Sequence, residues 1–127
     1  MKKTIVALAL TSLTVSANEA TIDATMQLME QGMNRVQKGF LYNNKVDIIR
    51  GINTLQSANS IFIHVDVSTF IENNSKIQVT KNINANLSEH LAKLKTDVEA
   101  HKYSSAGIKY AKVLNDCVSC HTIIRGW

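Results

Sequence analysis

Apolar residues along most of the chain recur every three or four positions, which is the spacing of one face of an α-helix. Between Thr21 and Phe40 they form a heptad seam, which comprises Ile22, Met26, Met29, Met33, Val36 and Phe40. A seam of this kind predicts a helix that buries one stripe against neighbouring helices. Gly39 and the pair Asn43 and Asn44 are expected to end this helix.

A second helix is predicted to begin after Asn44, which has Asp47 three residues further on as a capping partner. Its apolar positions, Ile48, Ile49, Ile52 and Leu55, extend the pattern to about Ala58. The link to the first helix is short, so the two helices are expected to be antiparallel neighbours. The stretch 60–74 is rich in apolar residues but has no helical period, and it predicts a packed irregular connection, with a short strand as the alternative.

Two further helices follow. Ser75 and Gln78 have the pattern of a capping box, and the helix that they open is predicted to end near Ala100. Its apolar positions are Val79, Ile83, Leu87, Leu91, Leu94 and Val98. Ser104 or Ser105 is expected to cap the fourth helix. Its predicted buried stripe comprises Tyr110, Leu114, Cys117, His121 and Ile124. Four amphipathic helices without a strand pattern predict an all-α, antiparallel four-helix bundle.

The first seventeen residues have the pattern of a secretory signal peptide. Lys2 and Lys3 precede an apolar run from Thr4 to Val15, and small residues end the segment at Ala17. The run is too short for a comfortable membrane span. We therefore expect residues 1–17 to be removed and residues 18–127 to form a single domain in the periplasm, with no membrane attachment. An uncleaved anchor is the alternative.

Cleavage would also change the charge of the protein. The whole chain has a formal net charge of +4, and without Lys2 and Lys3 the twelve remaining basic residues face ten acidic ones, which gives +2. The sequence contains no basic patch interleaved with aromatic residues, so nucleic-acid binding is not expected. Both cysteines of the chain lie in one short motif near its end.

That motif is Cys117-Val118-Ser119-Cys120-His121, the attachment signal of a c-type haem. Each cysteine can form a thioether to one haem vinyl group, while the histidine coordinates the iron. On a helix, Cys117 and Cys120 share a face and His121 lies one turn from Cys117. A redox or disulfide-bonded cysteine pair and half of a zinc site are the alternatives. A zinc site would need a second pair of ligands, and neither another cysteine nor a histidine pair supplies one.

A signal peptide, four helices and this motif on the last helix resemble the class II c-type cytochromes, the cytochrome c-prime group and its low-spin relatives. The resemblance covers the mature chain in architecture and implies one covalently bound haem c, with His121 as the proximal iron ligand. It also places a distal residue towards the start of the first helix, which favours Met26 over Met29 and Met33. Arg125 occupies the position of an arginine beside the proximal haem face, and its alternative is a solvated residue near a helix end.

The distal residue separates two functions. With His121 and Met26 both on the iron, the protein is expected to be a periplasmic electron carrier with redox partner proteins rather than an enzyme. With an empty distal side, it would bind NO or CO in the manner of cytochrome c-prime. His64, in the apolar second connection, is the rival distal ligand, and His90 and His101 are read as structural. Bundle cytochromes of this kind commonly pair, so a homodimer is also considered.

Overall fold

A computed structural model of the chain describes residues 5–70 and 74–125, and its side chains over 20–70 and 75–124. Within these ranges the protein is all-helical and contains no strand. Its helices are α1 (Ile5–Leu41), α2 (Lys45–Phe62), α3 (Asn74–Glu99) and α4 (Tyr103–Arg125), and a short 3₁₀ helix lies at Val67–Thr69. Four helices were predicted, and this part of the prediction is confirmed. α1 runs through the expected cleavage point after Ala17, and cleavage itself stays a prediction.

The turn between α1 and α2 follows from two adjacent asparagines. Asn43 adopts a left-handed backbone with φ 55°, a conformation that asparagine tolerates better than most residues. The amide of Asn44 then bonds back to the carbonyl oxygen of Gly39 at 2.8 Å, which closes the last turn of α1. As predicted, the Asn44 side chain caps α2 by accepting a hydrogen bond from the backbone amide of Asp47.

The turn between α3 and α4 is built in the same way. His101 has φ 59°, and the amide of Lys102 bonds to the carbonyl oxygen of Asp97 at 2.8 Å. Lys45 Nζ reaches across to donate to the carbonyl oxygen of Glu99 at 3.3 Å. The two short turns therefore lie beside each other at one end of the molecule.

The apolar core extends from these turns into the body of the molecule. Its buried members come from all four helices and are Val36, Ile48, Ile52, Leu55, Leu87, Leu91, Leu94, Val98, Ala106 and Val113. A second cluster forms around Phe62 and Val67, against which Met26, Met29, Val65, Phe70, Ile77 and Ile124 pack. Through Val67, the connection after α2 thus joins a cluster that also contains side chains of α1, α3 and α4. The packed connection predicted for 60–74 is found, although residues 60–62 belong to α2 and residues 71–73 lie outside the described ranges.

Several predicted helix ends and faces are corrected. Gly39 does not end α1 but is buried within it. Ser75 lies inside the first turn of α3, and α4 begins at Tyr103, before either serine predicted to cap it. On α4 the buried stripe is shifted by one residue, because Leu114 is 48% exposed while Val113 is fully buried. Val79 of α3 is likewise exposed, and its neighbour Thr80 is buried in its place.

The four helices do not all contact one another to the same extent. α1 packs extensively against α2, and α3 packs extensively against α4. The α2 and α3 helices also contact each other, but the described parts of α1 and α4 scarcely touch. A gap therefore remains between the first and the last helix. This gap contains the candidate site.

Candidate functional site

A cavity of about 640 Å³ lies between α1 and α4. Pockets that bind small molecules and cofactors commonly measure about 300–1,000 Å³, so this cavity is large enough for a sizeable ligand. Phe62 from α2 and Ile83 and Leu87 from α3 contribute apolar side chains to its wall. The remaining lining residues are concentrated on α1 and α4.

The α4 wall carries the whole cysteine and histidine motif. Cys117, Cys120 and His121 all line the cavity, as the helical spacing predicts. Burial raises the pKa of the Cys117 thiol to about 11, and the nearby Asp116 carboxylate acts in the same direction. Burial also raises the pKa of Cys120. Both thiols are therefore protonated and unpaired at neutral pH.

The pKa values of the two thiols and the side chains around them can be compared with the two alternatives for the motif, a redox or disulfide-bonded cysteine pair and half of a zinc site. Redox-active cysteines have lowered thiol pKa values that favour the thiolate, whereas both of these thiols have raised ones. Among the described residues, no group of three or more histidine, cysteine and carboxylate side chains is arranged to hold a metal ion. The raised thiol pKa values thus argue against a redox-active pair, and the described residues around the motif supply no zinc site.

The α1 wall carries three methionines. Met26, Met29 and Met33 all line the cavity, so the sequence-predicted candidate is accompanied by both of its rivals. Their packing separates them. Met33 packs against the main core, Met26 packs against the Phe62 cluster, and Met29 packs against both. That cluster also receives Ile124, which follows His121 by one helical turn. Packing therefore sets Met33 apart, and it leaves Met26 and Met29 together in the cluster that includes Ile124.

The edge of the α1 wall is polar. Asp23, Gln27 and Glu30 line the cavity and are exposed to solvent. Their spacing of four and three places them along one side of the helix. The α1 wall therefore carries two kinds of side chain. The methionines are half-buried, and the hydrophilic side chains beside them are exposed to solvent.

A pair that the sequence analysis missed adjoins the motif. Asp116 lines the cavity, is only 8% exposed and lies 2.6 Å from His90 Nδ1 through its Oδ2 atom. His90 belongs to α3, so the pair joins α3 to α4. A polar residue at an apolar position of each helix is the signal that could have revealed it. His90 follows Leu87 by three positions and Asp116 follows Val113 by three, so each shares a helix face with a core residue.

The other predicted residues fall outside this arrangement or outside the described side chains. His64 is exposed, and it is not among the described residues that line the cavity. His101 forms the turn before α4. Arg125 is the last residue of α4, and its side chain lies outside the described ranges, so its expected role stays a prediction.

A search for membrane-spanning helices and the comparisons with known proteins complete the description of the chain. In the parts of the chain that the structure describes, no helix has both the length and the apolar composition needed to cross a membrane. Comparison of the chain with protein-family models, curated proteins and solved structures gave no match. Its function is therefore inferred from the motif and from the cavity around it.

Proposed function

We propose that the mature chain is a periplasmic monohaem c-type cytochrome that carries electrons between redox partner proteins. The observation that carries the proposal is that Cys117, Cys120 and His121 share one cavity with Met26. When bound, a haem c supplies reversible one-electron chemistry between its ferrous and ferric states. The chain's own residues would anchor the group, set its axial ligands and exclude water.

The residues that line the cavity fit such a group. Cys117 and Cys120 stand three residues apart on α4 and supply the two thiols that thioether bonds require. Phe62, Ile83 and Leu87 supply apolar surface for the porphyrin. The sparse contact between α1 and α4 leaves room for a flat ligand between them.

The axial ligands would come from the two facing helices. His121 would be the proximal ligand and Met26 the distal one. Met26 and Met29 both line the cavity and both contact the apolar cluster that receives Ile124, which lies one turn beyond His121. The resemblance to the class II c-type cytochromes favours Met26 of the two. With both axial positions filled, the iron would change its oxidation state with little rearrangement, which suits an electron carrier.

The bundle would be antiparallel, as in the class II c-type cytochromes that the chain resembles. Contacts between neighbouring helices support this arrangement, since residue numbers fall on one helix as they rise on the next. A Cβ added to Gly32 would meet Leu55, and one added to Gly39 would meet Ile48. Between α2 and α3 the same order is seen in the pairs Asn59 with Ser88 and Lys45 with Glu99. Between α3 and α4 it is seen in the pairs His90 with Asp116 and Asp97 with Ser105.

A gas-binding protein of the cytochrome c-prime type is the second candidate. It is favoured by the packing of Met26 and Met29 against apolar side chains, which suits flexible core residues as well as ligands. If Met26 only fills space, the distal side of the iron is open and apolar. NO and CO would then bind there.

Expression of the complete chain with its N-terminal segment and a haem-maturation system tests the proposal. Denaturing mass spectrometry should give the mass of the chain from Asn18 plus one haem. The visible spectrum should be low-spin in both oxidation states. A Cys117→Ser, Cys120→Ser double variant is the matched control and should carry no covalent haem. A wild-type mass equal to the bare polypeptide would contradict the proposal, and a high-spin spectrum would favour the gas-binding candidate.

A further inference from the structure

Among the described residues that line the cavity, Asp116 is the one buried carboxylate. Its side chain is 10% exposed, whereas Asp23 and Glu30, the other acidic residues of the lining, are open to solvent. Asp116 immediately precedes Cys117, and it is close enough for its charge to raise the pKa of that thiol. Its carboxylate therefore lies beside the point where one thioether would form.

His90 holds this carboxylate in place. A carboxylate only accepts hydrogen bonds, so Nδ1 of His90 carries the hydrogen of the 2.6 Å contact with Oδ2. The two residues sit on neighbouring helices, and their hydrogen bond crosses the interface between α3 and α4. Asp116 is thereby fixed at the cavity wall by a partner from outside the motif.

We propose that Asp116, positioned by His90, holds the reduction potential of the bound haem low. A fixed negative charge in a poorly solvated wall interacts more strongly with a nearby charge than an exposed carboxylate does. Oxidation of the iron adds one positive charge to the haem, so Asp116 stabilises the ferric state relative to the ferrous state. Net charge, burial and neighbouring hydrogen bonds are recognised determinants of haem potentials. In this proposal Asp116 acts on the haem through its charge and is not an iron ligand, and His90 is the residue that positions it.

This inference rests on the proposed haem function, and the two are tested separately. The covalent haem of the wild-type protein is established first by mass. Midpoint potentials are then measured by spectroelectrochemistry for the wild type, Asp116→Asn and Glu30→Gln. Each variant removes one negative charge from the same cavity with little change of shape. We expect Asp116→Asn to shift the potential in the positive direction, and by more than Glu30→Gln, whose carboxylate is screened by water.

Midpoint potentials of His90 variants provide a second test, which does not require the Asp116→Asn variant to fold. His90→Leu removes the N–H group that donates to Asp116. The midpoint potential of this variant should differ from that of the wild type by more than the potential of Glu30→Gln does. His90→Asn, which keeps an N–H donor near the position of Nδ1, should restore the wild-type value. Nitrogen NMR of the imidazole should also show a hydrogen on Nδ1 of His90 in the wild-type protein.

The outcomes distinguish the two proposals. If the wild-type chain carries no haem, the proposed function fails and this inference fails with it. If haem is attached but Asp116→Asn shifts the potential no more than Glu30→Gln, the tuning role alone is overturned. Equal potentials in the wild type and His90→Leu would overturn the positioning role of His90.

Discussion

Gly51 of α2 packs directly against Gly32 of α1, because a Cβ added to Gly51 would stand only 2.8 Å from the carbonyl oxygen of Gly32. The same Cβ would lie 2.7 Å from the backbone nitrogen of Val36. Gly39, one turn of α1 further on, meets Ile48 in the same manner. Glycines therefore let α1 and α2 approach at backbone distance, and this tight pair forms one side of the cavity.

Gly51→Ala is expected to destabilise the protein. The new methyl group would collide with backbone atoms that cannot turn aside, and overpacking of this kind typically costs about 1–3 kcal/mol in the free energy of unfolding. Gly107→Ala is the matched control, since a Cβ there would meet no atom within 4 Å. Its higher helix propensity should instead stabilise the protein by up to ~1 kcal/mol. Urea unfolding of both variants, each prepared in the same way as the wild type, measures these effects, and equal effects would contradict the close packing.

The glycines also show how far the helix pattern could be read from the sequence. The seam of α1 was predictable because its apolar residues repeat at the helical period, and Val36 is fully buried as that repeat requires. Gly39 was expected to end the helix because glycine is a weak helix former. Its function is set by the distance to Ile48 on another helix, and a local pattern contains no such distance.

The haem should be needed for a well-packed fold. α1 and α4 scarcely touch, and the side chains between them face a cavity of about 640 Å³. Without a ligand these surfaces lose apolar burial, which is worth about 25 cal/mol per Å². Apo-protein made in the cytoplasm should keep helical far-ultraviolet circular dichroism but melt broadly and bind a hydrophobic dye. A sharp melting transition close to that of the haem-loaded protein would contradict this expectation.

A pH-dependent contribution to stability is expected at the turn into α4. The Ser105 hydroxyl donates to Asp97 at 2.5 Å and Lys109 lies 3.5 Å away. The Ser105 hydrogen bond chiefly lowers the pKa of the Asp97 carboxyl, with a smaller contribution from Lys109. A carboxyl whose pKa is lower in the folded than in the unfolded state stabilises the protein above the unfolded pKa. That stabilisation is lost as the pH falls through the folded pKa.

Ser105→Ala should therefore slightly lower the free energy of unfolding at neutral pH. The difference from the wild type should shrink as the pH falls through the folded pKa of Asp97, because the carboxyl is then protonated in both proteins. Urea unfolding at a series of pH values measures this difference. Ser104→Ala, at an exposed position in the same helical turn, serves as the control. A difference that stays constant down to strongly acidic pH would show that Ser105 acts only through packing.

The candidate site was predictable where one short segment carries the chemistry. Cys117, Cys120 and His121 lie within five residues, so their helical spacing alone brings them to one wall. His90 and Asp116 are 26 positions apart, and only the packing of α3 on α4 makes them partners. The buried stripe of α4 was misjudged at Leu114 for a related reason, since the neighbouring helices decide which face is covered.

The distal position decides between the two candidate functions, and Met26 is the residue to change. Its side chain lines the same cavity as the motif, and it packs in the apolar cluster that includes Ile124. Removal of the proposed ligand by Met26→Leu should convert a low-spin spectrum to a high-spin one and open the iron to CO and NO. Visible absorption and CO titration of the reduced protein measure both changes.

Met29→Leu and Met33→Leu are the matched controls, because these methionines line the same cavity and the substitution conserves volume. Each should keep the low-spin spectrum and cost under ~1.5 kcal/mol in the free energy of unfolding. A wild-type protein that is already high-spin and binds CO would make Met26 a core residue and favour gas binding. A low-spin spectrum that survives Met26→Leu would place the ligand elsewhere. Met29 would then be the first residue to test, because it packs against both apolar clusters, whereas His64 is exposed away from the cavity.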